Sequence, residues 1–247
     1  MDKAIFLPTL ELFVPILNEE AELEENLDKL LAYFKTLFGT VISKESKVIV
    51  VDNGSTDNSV AIMLKLLAVD PALGLVTTSM KGKGNAIKMG FSNSPADLVG
   101  FVDLDLSPDI TRIESFVREI QYNDADFVIA SRYLPGSIVK RGWLRSFTSR
   151  VYRIIFKYYL GLKVSDANCG LKIGKKDLIN DSFRSVESKG WFFDVELLHY
   201  VLLDGLKVKE MPITWVDDND SRVHILPATF ETLSLVIKFK KRITANA

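Results

Sequence analysis

The first half of the chain alternates short apolar runs with segments of helical periodicity, and no other feature restricts the possible folds as strongly. The apolar runs predict five strands, at residues 10–14, 47–52, 73–78, 97–103 and 126–132. Between them, segments such as 20–38 show the spacing of an amphipathic helix, and 107–120 places Pro108 in the first turn of another. Strands that alternate with helices form a mainly parallel sheet with helices on both faces, so we predict an α/β fold.

After residue 132 the alternation loosens. Strands are predicted at 170–174 and 206–216, and helices at about 143–160, 175–185, 192–204 and 227–242. No linker separates the two halves, so we expect one domain over residues 1–247. Within it we distinguish a first half at about 8–132, a second half at about 133–226 and a basic C-terminal helix at about 227–247.

Composition excludes some classes of function. The formal net charge of -1 gives no general attraction for nucleic acid, and we expect no nucleic-acid partner. The single cysteine, Cys169, cannot form an internal disulfide, which favours a reducing compartment and a structural thiol. The N-terminal sequence lacks the pattern of a secretion signal, and no apolar run is long enough to span a bilayer.

Two carboxylates mark the most informative loop. Ligands of such sheets bind beyond the carboxyl ends of the strands, and Asp103 and Asp105 stand there, separated by one residue, at the end of the fourth predicted strand. Two carboxylates in this arrangement can hold Mg²⁺ or Mn²⁺ together with diphosphate oxygens. The alternative interpretation is a solvated turn, in which paired aspartates are common.

Two further loops carry groups suited to a nucleotide. Asp52 ends the second strand, where its carboxylate can accept hydrogen bonds from a base or ribose. Residues 81–86 contain two lysines and two glycines, which suits phosphate, although a surface turn with solvated lysines fits as well. The loop after the first strand has no glycine, which argues against the usual dinucleotide-binding fold.

Seven motifs in order indicate a family. They are VPILNEE, VDNGSTD, KGKGNAIKMG, VDLDL, ASRY, DANCGLKI and WFFDVELL, and the resemblance that they carry covers roughly residues 8 to 222. Together they resemble the family-two inverting glycosyltransferases of the GT-A fold, and most of all the polyprenyl-phosphate sugar synthases such as the dolichyl-phosphate β-glucosyltransferases. The resemblance implies a Rossmann-like nucleotide-binding first half and an acceptor side in the second half. The Q-x-x-R-W signature of processive polysaccharide synthases is missing.

The resemblance also implies roles for matching residues, any of which could otherwise be an ordinary surface or capping group. The nucleotide-sugar site would comprise Pro15, Asn18, Glu19, Asp52, Lys83, Gly84, Asp103 and Glu196. Asp103 and Asp105 would bind the metal, with Asp105 the more direct ligand. The catalytic residues would be Asp105, Arg132 and Asp194. The acceptor side would comprise Arg132, Asp166, Lys172, Ser221 and Arg222, where Arg222 replaces a lysine that relatives often carry.

The implied activity is an inverting, metal-dependent hexosyl transfer. The donor would be a nucleotide-diphosphate sugar, UDP-glucose being favoured and GDP-mannose second, and the cofactor Mg²⁺ or Mn²⁺. The acceptor would be a polyprenyl (dolichyl-type) phosphate. One alternative is transfer to a hydroxyl of a glycan or glycolipid with Asp194 as the base. Another is a non-catalytic nucleotide-sugar-binding module.

Two basic segments predict contact with a membrane surface. On a helix over 143–162, Arg145, Ser149, Arg153 and Lys157 form a stripe beside aromatic and apolar residues, a pattern typical of helices lying in a headgroup layer. Lys238, Lys240, Lys241 and Arg242 form a second basic cluster. We therefore expect a peripheral protein on the cytoplasmic face of a membrane. The alternative is that the 143–162 helix packs its apolar face into the core.

Overall fold

Seven strands form a central sheet in the order β3-β2-β1-β4-β7-β5-β8 in the computed structural model, which describes residues 6–217 and 225–245. The strands of this sheet are β1 Leu10–Ile16, β2 Lys47–Asp52, β3 Leu73–Thr77, β4 Leu98–Phe101, β5 Phe127–Ser131, β7 Lys172–Lys175 and β8 Val208–Pro212. Two short strands, β6 Ile138–Lys140 and β9 Thr214–Val216, form a separate parallel pair. Strands from both halves of the chain therefore share one sheet.

The sheet is mainly parallel, as predicted. Among the described strands of the central sheet, β7 alone runs antiparallel, between β4 and β5. Its first residue, Lys172, pairs in register with Phe101 near the end of β4 and with Ile129 of β5. An antiparallel strand starts where its neighbours end, so Lys172 lies at the edge of the sheet where the carboxyl ends of β4 and β5 meet.

Helices cover both faces of this sheet. They are α1 Leu23–Thr36, α2 Ser59–Leu67, α3 Lys83–Asn93, α4 Arg112–Tyr122, α5 Trp143–Tyr158, α6 Lys176–Ser185, α7 Phe193–Leu203 and α8 Ile225–Ala245. Along β2, Val48 and Val50 join the core with α1 and α4, whereas Ile49 and Val51 join the core with α3 and α7. This division follows from the two-residue period of a strand, which turns successive side chains to opposite faces. Within the described ranges, no helix is both long and apolar enough to cross a bilayer.

The helical spacing of the first segment is confirmed by burial. Within α1, all five apolar residues at helical spacing are buried, namely Leu23, Leu27, Leu30, Leu31 and Phe34. The helix begins at Leu23 rather than at residue 20, because the preceding residues form a loop tied to the next strand–helix connection. The opposite face of α1 carries the exposed pair Glu25 and Lys29, one helical turn apart.

Two predicted elements differ from the structure. Pro108 does not open a helix: α4 begins at Arg112, and Pro108 forms an isolated β-bridge with Trp215. The predicted strand 206–216 is divided, since β8 ends at Pro212 in the central sheet and β9 pairs with β6. Both differences have one cause. The backbone around Pro108 hydrogen-bonds to β9, which draws both segments out of the elements that local pattern predicts.

Candidate active site

Four charged side chains from both halves of the chain meet at the carboxyl edge of the sheet. The Lys83 Nζ atom lies 2.8 Å from Oδ1 of Asp103 and 3.5 Å from Oδ2 of Asp194. The Lys172 Nζ atom lies 2.5 Å from the other Asp194 oxygen and also donates to the Cys169 carbonyl at 2.6 Å. Carboxylates and ammonium groups thus alternate from Asp103 through Lys83 and Asp194 to Lys172, and we call these four residues the charge chain.

The elements of the fold position each member of the charge chain. Asp103 follows β4, Lys83 opens α3, Asp194 lies in the first turn of α7 and Lys172 opens β7. Three of the four are almost completely buried, and Asp103 reaches the solvent. Burial acts to lower the pKa of Lys83, but the carboxylates of Asp103 and Asp194 outweigh it and raise that pKa above its usual value. Lys83 therefore holds a fixed positive charge beside Asp103.

Asp105 lies at the mouth of the site, two residues beyond Asp103. Its side chain reaches the surface, and its carboxylate accepts a hydrogen bond from the backbone N–H of Ser107 at 3.0 Å. The surrounding atoms remove part of its hydration, and the negative charge of Asp103 adds to this effect, so the pKa of Asp105 is raised. A bound cation would relieve this repulsion.

The donor atoms at this site fit a hard divalent cation that shares its coordination with a substrate. No group of three or more acidic, histidine or cysteine side chains able to hold a metal occurs within residues 6–217 and 225–245. An ion at Asp103 and Asp105 would therefore need water and substrate oxygens to complete its shell, as Mg²⁺ does at phosphate sites.

Gly170, which the sequence did not single out, supports Asp103 directly. A Cβ atom at this position would lie 2.3 Å from Oδ2 of Asp103, closer than any real contact allows. The Asp103 carboxylate therefore rests against the bare Cα of Gly170. The available sequence signal was the glycine that follows Cys169 in DANCG.

Cys169 itself is buried, and burial followed by the charge of Asp166 raises the pKa of its thiol to about 12.

The glycines of KGKG lie in close contact with another part of the backbone. A Cβ at Gly82 would lie 2.2 Å from the Lys189 carbonyl oxygen, and one at Gly84 would lie 2.7 Å from that of Ser188. The φ angle of Gly82, +121°, is also one that side chains disfavour. These glycines therefore admit another segment of the protein's own backbone. That segment accepts a hydrogen bond from the Asn85 N–H at 3.1 Å.

The predicted nucleotide pocket lies where the loops after β1 and β2 join. Asn18 accepts a hydrogen bond from the Thr56 N–H at 2.7 Å, and the Glu19 N–H donates to Ser59 at 2.9 Å. Pro15 lies in β1 opposite Val51, and Asp52 is buried, with its carboxylate accepting the N–H groups of its own loop. The structure thus brings Pro15, Asn18, Glu19 and Asp52 to one place.

Asn53, which the sequence assigned only to turn geometry, carries an unsatisfied buried acceptor. Its side chain is 4 % exposed, and its Oδ1 atom has no hydrogen-bond partner among the described residues. Buried acceptors without a partner are rare, and a ligand that donates a hydrogen bond is one explanation. Its neighbour Asp52 belongs to the predicted nucleotide pocket.

Arg132 forms a second buried group with Asp166. Its guanidinium donates to both Asp166 oxygens, at 2.7 and 2.8 Å, and lies 4.6 Å from the centre of the Trp215 ring. Burial acts to raise the pKa of Asp166, but Arg132 outweighs it and lowers that pKa. Arg141 and Arg145 approach the same region, each within 3.4 Å of an oxygen of Asp217. We call Arg132, Arg141 and Arg145 the arginine cluster.

One predicted site residue, Glu196, lies apart from these groups. Glu196 is buried and accepts the N–H groups of Glu187 and Ser188, at 3.2 and 2.8 Å, and it also pairs with Arg242 of α8. The structure thus does not bring Glu196 into the charge chain. Ser221 and Arg222 lie outside the described residues.

Helix α5 exposes its apolar side. Within this fully described helix Phe156 alone is buried, whereas six large apolar residues are exposed, namely Trp143, Leu144, Phe147, Val151, Ile154 and Tyr158. Much of the predicted basic stripe faces the protein instead. Arg145 pairs with Asp217, Ser149 hydrogen-bonds to Tyr133, and Arg153 lies over the Tyr133 ring. One apolar side of the 143–162 segment thus faces solvent, whereas Phe156, Leu160 and Leu162 lie in the core, so core packing holds for only part of this segment.

Comparison with known proteins gives the fold and the relatives of the chain. A family model described as "Glycosyl transferase family 2" matches residues 11–183. The chain is 25% identical to Glycosyltransferase AglD of Haloferax volcanii over 86% of its own length, but it spans only 34% of that protein. It is 23% identical to a Dolichyl-phosphate beta-glucosyltransferase of Dictyostelium discoideum, over 94% of this chain and 74% of the relative. The corresponding protein of Saccharomyces cerevisiae is 24% identical, over 90% and 70%.

A solved structure shows the same architecture. Glucosyl-3-phosphoglycerate synthase from Mycobacterium tuberculosis, determined with Mn²⁺, UDP and glucosyl-3-phosphoglycerate, superposes with a TM-score of 0.69. The two chains are 19% identical, and the match covers 94% of this chain and 80% of the other. The predicted GT-A fold is confirmed by this likeness.

The buried ion pair of Arg132 predicts that removing one partner costs more stability than removing both. Arg132→Met leaves the Asp166 carboxylate buried without its partner, and we expect a loss of about 3–5 kcal/mol in the free energy of unfolding. Arg132→Met combined with Asp166→Leu should recover a large part of that loss. Urea denaturation with an unchanged m-value measures both. Arg118→Met is the matched control, because Arg118 pairs with Glu114 at the exposed surface of α4 and should change little. Equal losses for Arg132→Met and Arg118→Met would contradict the buried pair.

Proposed function

Because the chain belongs to glycosyl transferase family 2, we propose that it transfers a hexose, with inversion, from a nucleotide-diphosphate sugar to a polyprenyl (dolichyl-type) phosphate. UDP-glucose is the proposed donor, and Mg²⁺ or Mn²⁺ the cofactor. The relatives named as dolichyl-phosphate β-glucosyltransferases support glucose as the transferred sugar and a dolichyl-type phosphate as the acceptor. The charge chain is the observation that carries the proposal. It fixes the Lys83 ammonium group beside the Asp103 carboxylate, and its two lysines contact both oxygens of Asp194.

The proposed donor site follows from the loops at the carboxyl edge of the sheet. Asp52 and the free acceptor of Asn53 would receive hydrogen bonds from the nucleoside, and uracil offers an N–H donor for such an acceptor. Asp103 and Asp105 would hold the divalent cation, which would supply positive charge to the diphosphate as the sugar leaves. Lys83 would add its own fixed charge at the same place.

The proposed reaction is a single in-line displacement. An oxygen of the acceptor phosphate attacks the anomeric carbon, a new C–O bond forms, and the bond from that carbon to the diphosphate breaks. The nucleoside diphosphate leaves with the electron pair of the broken bond. Attack from the opposite side inverts the anomeric configuration. Lys83 lowers the barrier by stabilising charge that grows on the leaving group.

A phosphate acceptor suits the surroundings of Asp194 better than a hydroxyl. A phosphate monoester has its second pKa near ~6, so it is largely ionised at neutral pH and needs no general base. A hydroxyl acceptor needs one, but Asp194 is 2 % exposed and both its oxygens contact lysine ammonium groups. The arginine cluster would position the anionic acceptor, since guanidinium groups match the geometry of phosphate oxygens.

The exposed apolar side of α5 supports peripheral attachment to a membrane. A contiguous set of aromatic and aliphatic side chains along one helix suits insertion at the boundary between headgroups and acyl chains. Arg145 of the arginine cluster is on the same helix, two residues from Phe147 and on the opposite side, so inserting α5 would bring a lipid-borne phosphate to within about one helix diameter of that cluster. We place the protein on the cytoplasmic side, where nucleotide sugars are made.

Transfer to lipid tests the proposal directly. The purified protein is offered radiolabelled UDP-glucose, UDP-N-acetylglucosamine or GDP-mannose, each with Mn²⁺ and a polyprenyl phosphate. We expect glucose from UDP-glucose to enter the organic phase, and the unphosphorylated polyprenol to accept none. Product from the polyprenol would favour the hydroxyl-acceptor alternative. Binding of the donor without transfer to any acceptor would favour the non-catalytic module.

Metal dependence has a separate test. We expect excess EDTA to abolish transfer and Mn²⁺ or Mg²⁺ to restore it, because Lys83 alone would otherwise have to offset the charge of two carboxylates that face a diphosphate. Asp105→Ala should lower kcat/KM by at least about 100-fold, equivalent to about 2.7 kcal/mol. Asp109→Ala is the matched control. It removes a carboxylate from the same loop, but the Asp109 carboxylate accepts its hydrogen bonds from Thr111, just before α4. Full activity in EDTA would contradict the metal site.

Membrane attachment through α5 predicts a selective effect on liposome flotation. Replacing both Phe147 and Ile154 with glutamate removes two apolar side chains from the proposed contact, each worth roughly 1.5–3 kcal/mol when fully buried. We expect the vesicle-bound fraction to fall at least about tenfold. Leu64→Glu is the control, since Leu64 is similarly exposed on α2, at the opposite side of the sheet beside β3. Wild-type protein that stays soluble with anionic vesicles at low salt would contradict the attachment.

A further inference from the structure

Trp191 places an exposed indole at the edge of the charge chain. Its side chain is 61% exposed, yet its ring centre lies 4.9 Å from Nζ of Lys83, the group that also contacts Asp103 and Asp194. The indole is therefore open to solvent, and the Lys83 ammonium group links it to Asp103, one of the two proposed metal ligands. Large apolar side chains that stand exposed beside a polar site are typical of ligand-contacting surfaces.

The backbone just before Trp191 is held in place by contacts within the protein, although most of the Trp191 ring is exposed to solvent. Residues 186–190, which we call the strap, are held by several independent contacts. Lys88 donates to the Val186 carbonyl, Glu196 accepts the N–H groups of Glu187 and Ser188, and the Lys189 carbonyl accepts from Asn85. Arg242 of α8 adds ion pairs to both Glu187 and Glu196.

The close packing at KGKG fixes the distance between the strap and α3. Gly82 and Gly84 have no side chains, so the carbonyls of Ser188 and Lys189 approach the first turn of α3 directly. Lys83 stands between these glycines. These contacts therefore hold the backbone before Trp191 close to Lys83, and the indole reaches the Lys83 ammonium group from there.

An indole in this position suits a sugar ring. A hexose offers an apolar C–H face for an aromatic ring and a rim of hydroxyls for a carboxylate, and here the partly exposed Asp103 carboxylate contacts the same Lys83 ammonium group as the indole. A rigid aromatic side chain gives a large contact area at a small loss of conformational entropy. The nucleotide itself would lie at the loops after β1 and β2, where Asp52 and Asn53 stand.

We infer that the Trp191 indole is the stacking surface for the transferred sugar of the donor, and this inference rests on the proposed function. Trp191 is thus a binding residue that distinguishes a nucleotide sugar from the bare nucleotide. Glu196 and Arg242 are positioning residues, because they act on the sugar only through the strap. This assigns to Glu196 an indirect part in donor binding.

Calorimetry with the whole protein separates the sugar from the nucleotide. UDP-glucose and UDP are titrated, each with Mn²⁺, into wild type, Trp191→Ala and Trp191→Phe. We expect Trp191→Ala to weaken UDP-glucose binding about tenfold, which equals about 1.4 kcal/mol, and to change UDP binding less than about twofold. Trp191→Phe should keep most of the affinity, because it retains an aromatic face. The control is Tyr122→Ala, which removes an equally exposed aromatic at the far end of α4.

Each outcome decides the matter. Equal losses for UDP-glucose and UDP, or no loss, would overturn the stacking role while leaving transfer to lipid intact. A loss of vesicle binding by Trp191→Ala with unchanged donor affinity would identify the indole as a lipid contact and also overturn it. A selective loss for UDP-glucose in a protein that glycosylates no polyprenyl phosphate would uphold the stacking role and refute the acceptor. Wild type that binds neither UDP-glucose nor UDP would overturn both.

Discussion

The buried pairing of Asp194 with two lysines is the interaction on which the rest of the site depends. Lys172 is fully buried, and removing a charge from water is unfavourable unless a partner compensates it closely. Asp194 compensates Lys172 and Lys83 together, and Lys83 in turn holds Asp103. Because β4 and α3 come from the first half of the chain and β7 and α7 from the second, the same contacts join the two halves at the site. The proposed catalytic arrangement and the packing of the two halves are therefore one structure.

Missing side chains are as important to this arrangement as the charges. Gly170 leaves room for the Asp103 carboxylate, and Gly84 leaves room for the strap beside Lys83. An alanine at Gly84 would place its Cβ 2.8 Å from that of Phe193, in the helix that carries Asp194. The charge chain can therefore form only where the backbone segments approach more closely than a methyl group permits.

Local sequence pattern was sufficient to predict the helices and strands that bury one face or one continuous apolar run. The leucine spacing of α1 and the apolar runs of β1, β2 and β5 predict those elements to within a few residues, because burial of one face or one run determines them. The strand pairing around Pro108 was not predictable, since its partner Trp215 lies far along the chain.

The sequence identified the charged residues of the site, but not their pairing: Arg132 with Asp166 and Glu196 with the strap depend on tertiary contacts. The exposed apolar face of α5 also has no local signal that separates it from a core-facing helix.

The antiparallel strand β7 has a consequence for how the molecule is made. β4 and β5 are not neighbours, and each gains its shared partner only when Lys172–Lys175 has been synthesised. Until then both are strand edges with free backbone groups and apolar side chains, the state in which chains associate with one another. At typical elongation rates of about 5–20 residues per second, this interval lasts for seconds. The order of synthesis therefore leaves an exposed strand edge on the first half until residues of the second half emerge to pair with it.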